Sequence, residues 1–415
     1  MSIDQATLAS RLKQSREAAA LTQDEAAKAL GIQRTAMVQI ESGNRAISSL
    51  ELEKLARLYR RDISDFFVTG KVQTEDDPFV ILHRIAPGLE GDPEIKQQID
   101  HCLKLCQEGR ELERILGRVD RSGLPAYNIS TPKNTGEAVV QGSQVAAHER
   151  QRLGIGDTAI ADIAELINTQ GVWATSVELP SEMSGLFINH PSTGMVVIVN
   201  TEHAATRKRF SFAHEYGHAL MDKDRVGTIS SKSNSRDLTE QRANAFAAAF
   251  LMPSQGIEKV LFQIQKGQPS RMDQAVFDVA TEERIDAQVR TTPGSQKLGY
   301  QDATMIARLF NVSFEAVVYR LRSLSHLNQT ECESLLSQVD LANNFRQMLD
   351  TLALFDETNS SKHNKPVREL TAQITHLAIE AFRREEISRG KLLELAALIG
   401  CSGKSLLEFA TAARD

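Results

Sequence analysis

The chain has 415 residues, 41% hydrophobic and 25% charged, with a formal net charge of −6. A chain this long outgrows a single hydrophobic core and predicts roughly two to four domains, while the composition excludes a fibrous or wholly disordered protein. The charge provides no global basic field, so any contact with nucleic acid has to come from a local patch.

The first residues, MSIDQATLASRLKQ, lack the basic segment, apolar run and small-residue cleavage site of a secretion signal, and no stretch resembles a membrane span. A cytoplasmic protein without membrane contact is expected, with its four scattered cysteines as reduced thiols. Residues 1–68 read as five compact helices. Thr22 to Glu25 has the form of a capping box, Gly31 closes the helix that follows, and Ser48 to Glu51 repeats the start signal. Residues 22–41 satisfy the requirements of a helix-turn-helix. Ala26, Leu30, Ile32, Val38 and Ile40 form its expected small core, while Gln33, Arg34, Thr35 and Gln39 point outward. Gln and Arg side chains can pair with adenine and guanine edges, and Arg45, Lys54, Arg57, Arg60 and Arg61 are candidates for phosphate contact. With Gln23 and Asn44, the expected DNA-binding set is Gln23, Gln33, Arg34, Thr35, Gln39, Asn44 and Arg45. The stretch Leu8 to Phe67, through LeuThrGlnAspGluAlaAla, LeuGlyIle and GlnIleGluSerGlyAsnArg, resembles the XRE (Cro-type) phage-repressor family. The resemblance implies a homodimer that binds a palindromic double-stranded DNA operator, since repressor-like domains usually read paired half-sites. Gln33 departs from the family, which more often has a small polar cap there.

Residues 69–130 are expected to be a linker, polar and acidic at 71–78, followed by a helical connector with Ile99, Leu103, Cys106, Leu112 and Ile115 in apolar register. Cys102 and Cys106 beside His101 form one geometry a metal could use, but two buried thiols on an apolar face explain the spacing better.

Residues 131–325 read as an α+β domain. Ala159 to Leu166 looks helical, Val172 to Leu179 extended, and Gly185 to Asn189 with Met195 to Val199 form two strands around a turn. Either of those two strands is expected to offer an edge to an extended peptide. His214-Glu215-Tyr216-Gly217-His218 places two imidazoles four residues apart on one helix face, able to share a Zn²⁺, with Glu215 beside them as a base for an attacking water. Catalytic zinc needs a third protein ligand. Met221 and Asp224 stand where a third-histidine pattern would have Gly and His, so the expected ligand is a carboxylate. Glu240, opening the helical run GluGlnArgAlaAsnAlaPheAlaAlaAlaPheLeuMetPro, is the leading candidate, with Asp222, Asp224 and Asp237 competing. Tyr216 is expected to pack, His190 and His203 to be surface residues, Arg207 to Arg209 to be a solvated helix start, and the polar stretch 225–239 to be a loop over the cleft.

ArgPheSerPheAlaHisGluTyrGlyHis, the Glu240 run and SerGlyLeuPheIle at 184–188 resemble the ImmA/IrrE family of metallopeptidases. The resemblance implies a zincin-like fold, His214, His218 and Glu240 as zinc ligands, and Glu215 as general base. It further implies cleavage of a protein substrate such as a repressor or antitoxin under stress or phage signals. Residues 306–321 have helix-turn-helix spacing, but a structural role is expected. Residues 326–415 form a C-terminal helical domain, interrupted by a polar loop at 357–366. The whole is expected to be mainly α, with the DNA-binding and zinc endopeptidase activities coupled. The competing readings are a zinc-binding transcription factor without turnover and an antitoxin or immunity component that acts by binding a partner.

Overall fold

The computed structural model describes residues 5–18, 21–59, 63–66, 93–118, 124–125, 127–223, 225, 227–231, 234–267, 271–278, 283–290, 294–353 and 367–412. The chain divides into two compact units, 1–80 and 81–415. The linker at 71–78, Arg60, Arg61, Asp224 and the loop at 357–366 lie outside the described residues.

The first unit consists of α1 (Gln5–Ala18), α2 (Gln23–Leu30), α3 (Arg34–Glu41), α4 (Ser49–Leu58) and a single 3₁₀ turn (Ile63–Phe66). Both capping boxes form, with Thr22 accepting from the Glu25 amide and Ser48 from the Glu51 amide. Gly31 ends α2 at φ 71°, a left-handed turn that a side chain would strain. Gln33 precedes α3 without a side-chain cap. Ala26, Leu30, Met37, Ile40, Leu52 and Leu55 meet in the core, and Ile32 packs against it. Val38, expected in that core, is 41% exposed, because the inward positions of α3 are taken by Met37, Ile40 and Glu41.

The second unit begins with α5 (Pro93–Ile115), α6 (Thr135–Arg152), α7 (Ile163–Thr169), β1 (Val172–Val177), β2 (Met183–His190), β3 (Gly194–Asn200) and α8 (Ala205–Met221). It continues with β4 (Gly227–Ser231), α9 (Leu238–Leu251), α10 (Ser254–Gln263), β5 (Arg271–Asp278), β6 (Glu283–Arg290), α11 (Tyr300–Phe310) and α12 (Phe314–Ser323). It closes with α13 (Gln329–Leu336), α14 (Val339–Ala353), α15 (Val367–Arg383), α16 (Arg389–Ile399) and α17 (Gly403–Ala412). The fold is therefore mainly helical, with one four-stranded sheet ordered β1-β3-β2-β4. β1 runs parallel to β3, and β2 is antiparallel to both β3 and β4. The near-continuous burial of β1, β2 and β3 reflects helices packed on the sheet, among them α7 on β1 and α8 on β2 and β3.

Four expectations change. The helix read at 159–166 starts at Ile163, because Asp162 caps it by accepting from the Glu165 amide. The stretch 225–239 is not simply a loop: it contains β4, which adds to β2. β2 and β3 are both interior strands, so neither presents the free edge expected of them; β1 and β4 are the outer strands. The β5–β6 hairpin was not anticipated.

Residues 306–321 do form two short helices joined at Asn311, and Ile306, Phe310, Val312, Phe314, Val317 and Leu321 are buried in the core of the unit. Their helix-turn-helix spacing serves packing. In the C-terminal part, α15 and α16 pack on α5, and α15 reaches β1.

Candidate metal centre and nucleic-acid interface

His214 and His218 lie one turn apart on α8, which is buried almost continuously from Arg209 to Met221. Glu240 sits in the first turn of α9, where the helix dipole favours a carboxylate. Ala243 and Ala247 on the same helix are fully buried, consistent with close packing between α9 and α8. His214 Nε2 lies 3.2 Å from Glu240 Oε2 and 3.2 Å from His218 Nε2, and His218 Nε2 lies 3.3 Å from Glu240 Oε1.

The opposite ring nitrogens are engaged. His214 Nδ1 meets Asn244 Oδ1 at 2.9 Å, and His218 Nδ1 meets Asp222 Oδ2 at 2.8 Å. Both partners are acceptors, so Nδ1 carries the proton in each neutral ring and each Nε2 presents a lone pair. Two lone pairs then face one another and a carboxylate, an arrangement that needs a cation or proton at its centre. Ligand atoms about 2.05 Å from a tetrahedral zinc stand about 3.3 Å apart, so the triangle of donors fits such an ion. Burial opposes charge on His218, but hydrogen bonds to Asp222 and Glu240 outweigh it and raise its pKa. Burial likewise opposes charge on Glu240, and its bonds to both histidines hold its carboxyl below the usual range.

Glu215 is fully buried, and neither carboxylate oxygen has a hydrogen-bond partner among the described residues. Burial raises its pKa, offset in part by the charges of His214 and His218. Gly185 on β2 makes room for it, since a Cβ there would lie 2.8 Å from Glu215 Oε1. Thr228 and Ser230 of β4 point inward, and their buried hydroxyls also lack partners. Ser230 stands near enough to favour the charged form of Glu215 without closing a hydrogen bond.

The supporting residues are built differently. Asp222, a competing ligand candidate in the sequence, turns to His218 Nδ1 and takes Arg242 through its other oxygen at 2.6 Å. Asp237 is exposed at the N-cap of α9. Tyr216 is buried against Phe246 and Phe250, and its hydroxyl donates to Glu149, which also accepts from Tyr127 and Arg152. Arg209 is not solvated: it is buried and donates to the carbonyls of Ile160 and Ala161, tying α8 to the segment before α7. Arg207 remains exposed. His190 bonds Ser192 inside the β2–β3 turn, about 16 Å along the strand from Gly185. His203, before α8, is half-buried. Cys102 and Cys106 are buried on α5, with exposed His101 on another face. Sequence reasoning did not single out Asp222 and Asn244 as supports or Ser230 as a neighbour of the base; Asn244 and Ser230 act on residues of other elements and carry no local signal, whereas Asp222 stands one turn from His218.

On the first unit, Gln33, Arg34, Thr35, Val38 and Gln39 form one exposed face of α3 and its approach. Asn44 is exposed and bonds Ser42. Gln23 donates to Glu41 at 2.9 Å, and Arg45 pairs with Glu51 at 2.8 Å, so these two are held within the unit. Arg57 pairs with Glu53 on the surface.

Residues 167–322 match the family model described as the IrrE N-terminal-like domain, a peptidase family, and residues 7–65 match a helix-turn-helix domain model. No curated protein matches the chain. The chain thus joins a DNA-binding helix-turn-helix domain to an IrrE/ImmA-like metallopeptidase domain that brings His214, His218 and Glu240 together in a buried group suited to a metal. Among the described residues no helix is long and apolar enough to cross a membrane.

Proposed function

We propose that this chain is a transcriptional regulator whose peptidase domain is a zinc endopeptidase, with His214, His218 and Glu240 holding the metal and Glu215 acting as general base. The observation that carries the reading is the triangle of two Nε2 lone pairs and one carboxylate with sides of 3.2 to 3.3 Å, beside a buried carboxylate that has no partner. Imidazole and carboxylate donors in this number suit zinc with a position left open. When bound, the metal supplies Lewis acidity toward water and toward a peptide carbonyl.

The residues supply the rest. Asp222 and Asn244 fix the imidazole tautomers, and Arg242 holds Asp222 in place. Glu215 takes the proton from the attacking water and passes it to the departing amine nitrogen, and its raised pKa suits both halves of that transfer. The extended substrate adds along β4, the outer strand beside Glu215, in place of the interior strands expected from sequence.

At the other end of the chain, Gln33, Arg34, Thr35 and Gln39 read base edges, while Asn44, with Gln23 and Arg45 at the margin, positions the unit on the backbone of a palindromic operator bound by a homodimer. Proteolysis in the cytoplasm then removes a repressor, an antitoxin or another copy of this chain when stress or phage is signalled. Glu240→Ala is expected to lose the zinc that the wild type retains on purification, measured by elemental analysis, and with it cleavage of proteins encoded beside the gene. Full retention of zinc would overturn the ligand set, and zinc binding without any cleavage would favour a metal-sensing transcription factor.

A further inference from the structure

A cavity of about 990 Å³ lies in the second unit beside the metal centre, between α6, the start of α8, α9, α12 and α14. Asn244, whose side chain holds His214, forms part of its wall, and Phe210 lines it one turn before His214. The walls are largely apolar, and Val139 and Tyr319 add exposed apolar surface, 40% and 56% exposed. Into this setting comes Arg320. Its side chain is buried, the residue being only 8% exposed, and Nε donates to the Met252 carbonyl at 3.0 Å. No carboxylate pairs with it among the described residues, and its two terminal nitrogens make no hydrogen bond there. Burial lowers its pKa to about 10, so it remains charged at neutral pH.

Three other buried arginines place more of their nitrogens in hydrogen bonds. Arg16 forks onto Glu41, Arg242 pairs with Asp222, and Arg150 donates to the carbonyls of Gly156, Thr158 and Phe250. The terminal nitrogens of Arg320 are open to the cavity, and their planar fork matches a carboxylate. Arg207 and Arg346 also line the cavity, against Glu315 alone, so the charge there is net positive.

We propose that this cavity is a specificity pocket for the protein substrate, and that it takes an apolar segment carrying a carboxylate, which Arg320 receives. Peptide is favoured over a free small acid because a cavity of about 990 Å³ is more than a small acid fills, and its wall reaches the support of His214 at Asn244. The inference rests on the endopeptidase reading and names the substrate class of that same site. The carboxylate comes either from an Asp or Glu side chain or from a chain terminus.

Binding tests it without turnover. Full-length Glu215→Gln protein, zinc-loaded and immobilised, selects from two random peptide libraries, one with free and one with amidated C-termini, and the retained peptides are sequenced. The expected result is enrichment of an acidic residue at a fixed place among apolar ones in both libraries; retention confined to the free-terminus library, with apolar but not acidic residues selected, assigns the carboxylate to the chain end. Adding Arg320→Gln is expected to abolish that enrichment and weaken the selected peptides roughly tenfold or more, while Arg320→Lys retains the preference in part. Matching thermal melts show that the variants fold. No retained peptide, retention that needs neither an acidic residue nor a free terminus, or a preference that survives Arg320→Gln in a folded protein would overturn the proposal. Selected peptides that bind through Arg320 but are not cut by the wild type would instead overturn the endopeptidase reading and leave the pocket standing.

Discussion

Glu41 in the first unit and Glu215 in the second are both buried carboxylates on helices, and their surroundings are opposite. Glu41 receives the Arg16 guanidinium at 2.6 and 3.1 Å and the Gln23 amide at 2.9 Å. Glu215 receives no hydrogen bond among the described residues, although it is the more deeply buried. A buried charge that is fully bonded holds helices together; one that is left unbonded is a cost to the fold. On the proposed function, the contrast separates a residue kept for structure from one kept for chemistry, within one chain. Asp222 belongs with Glu41, because Arg242 and His218 satisfy both its oxygens, even though it borders the metal centre.

The largest expected effect on the structural side comes from Glu41→Ala, which leaves the buried Arg16 with only the Leu21 carbonyl and the exposed Glu17. It is expected to destabilise the first unit by about 3–5 kcal/mol in denaturant melts and to abolish DNA binding in the same range of denaturant. A loss within the roughly 1 kcal/mol typical of surface pairs would erase the contrast. Asp222→Asn breaks the bonded carboxylate at the border of the two classes. Metal affinity is expected to fall about 10–100-fold, read by competition with a chelating dye, because His218 loses its orienting partner. Unchanged affinity would mean that Asp222 serves packing alone.

Much of this contrast was legible beforehand and part of it was not. The two histidines and Glu215 stand out because a helix repeat places them together locally, and the capping boxes at Thr22 and Ser48 are written in four residues each. β4 was missed because its inward residues, Thr228 and Ser230, are hydroxyl-bearing and read as loop. Val38 was assigned to the core because hydrophobic type was weighed above helical phase, which gives that place to Met37. Arg209, Asp222 and Asn244 act on partners 49, 4 and 30 residues away, and only the short separation of Asp222 from His218 was open to a helical-spacing argument.

Met37 and Val38 offer the smallest and finest test. Met37→Ala is expected to cost about 2–5 kcal/mol of stability, whereas Val38→Ala stays within about 0.5 kcal/mol. Comparable losses from both, in thermal melts of the full chain, would put Val38 back in the core.

The most direct measurement sets stability against turnover in Glu215→Gln. The account predicts that the variant keeps its zinc, melts at the same temperature as wild type or above it, and cleaves neighbouring-gene proteins and its own chain at least about 100-fold more slowly. A variant that melts well below wild type, or that cleaves at the wild-type rate, would contradict the claim that this unbonded carboxylate is kept for chemistry.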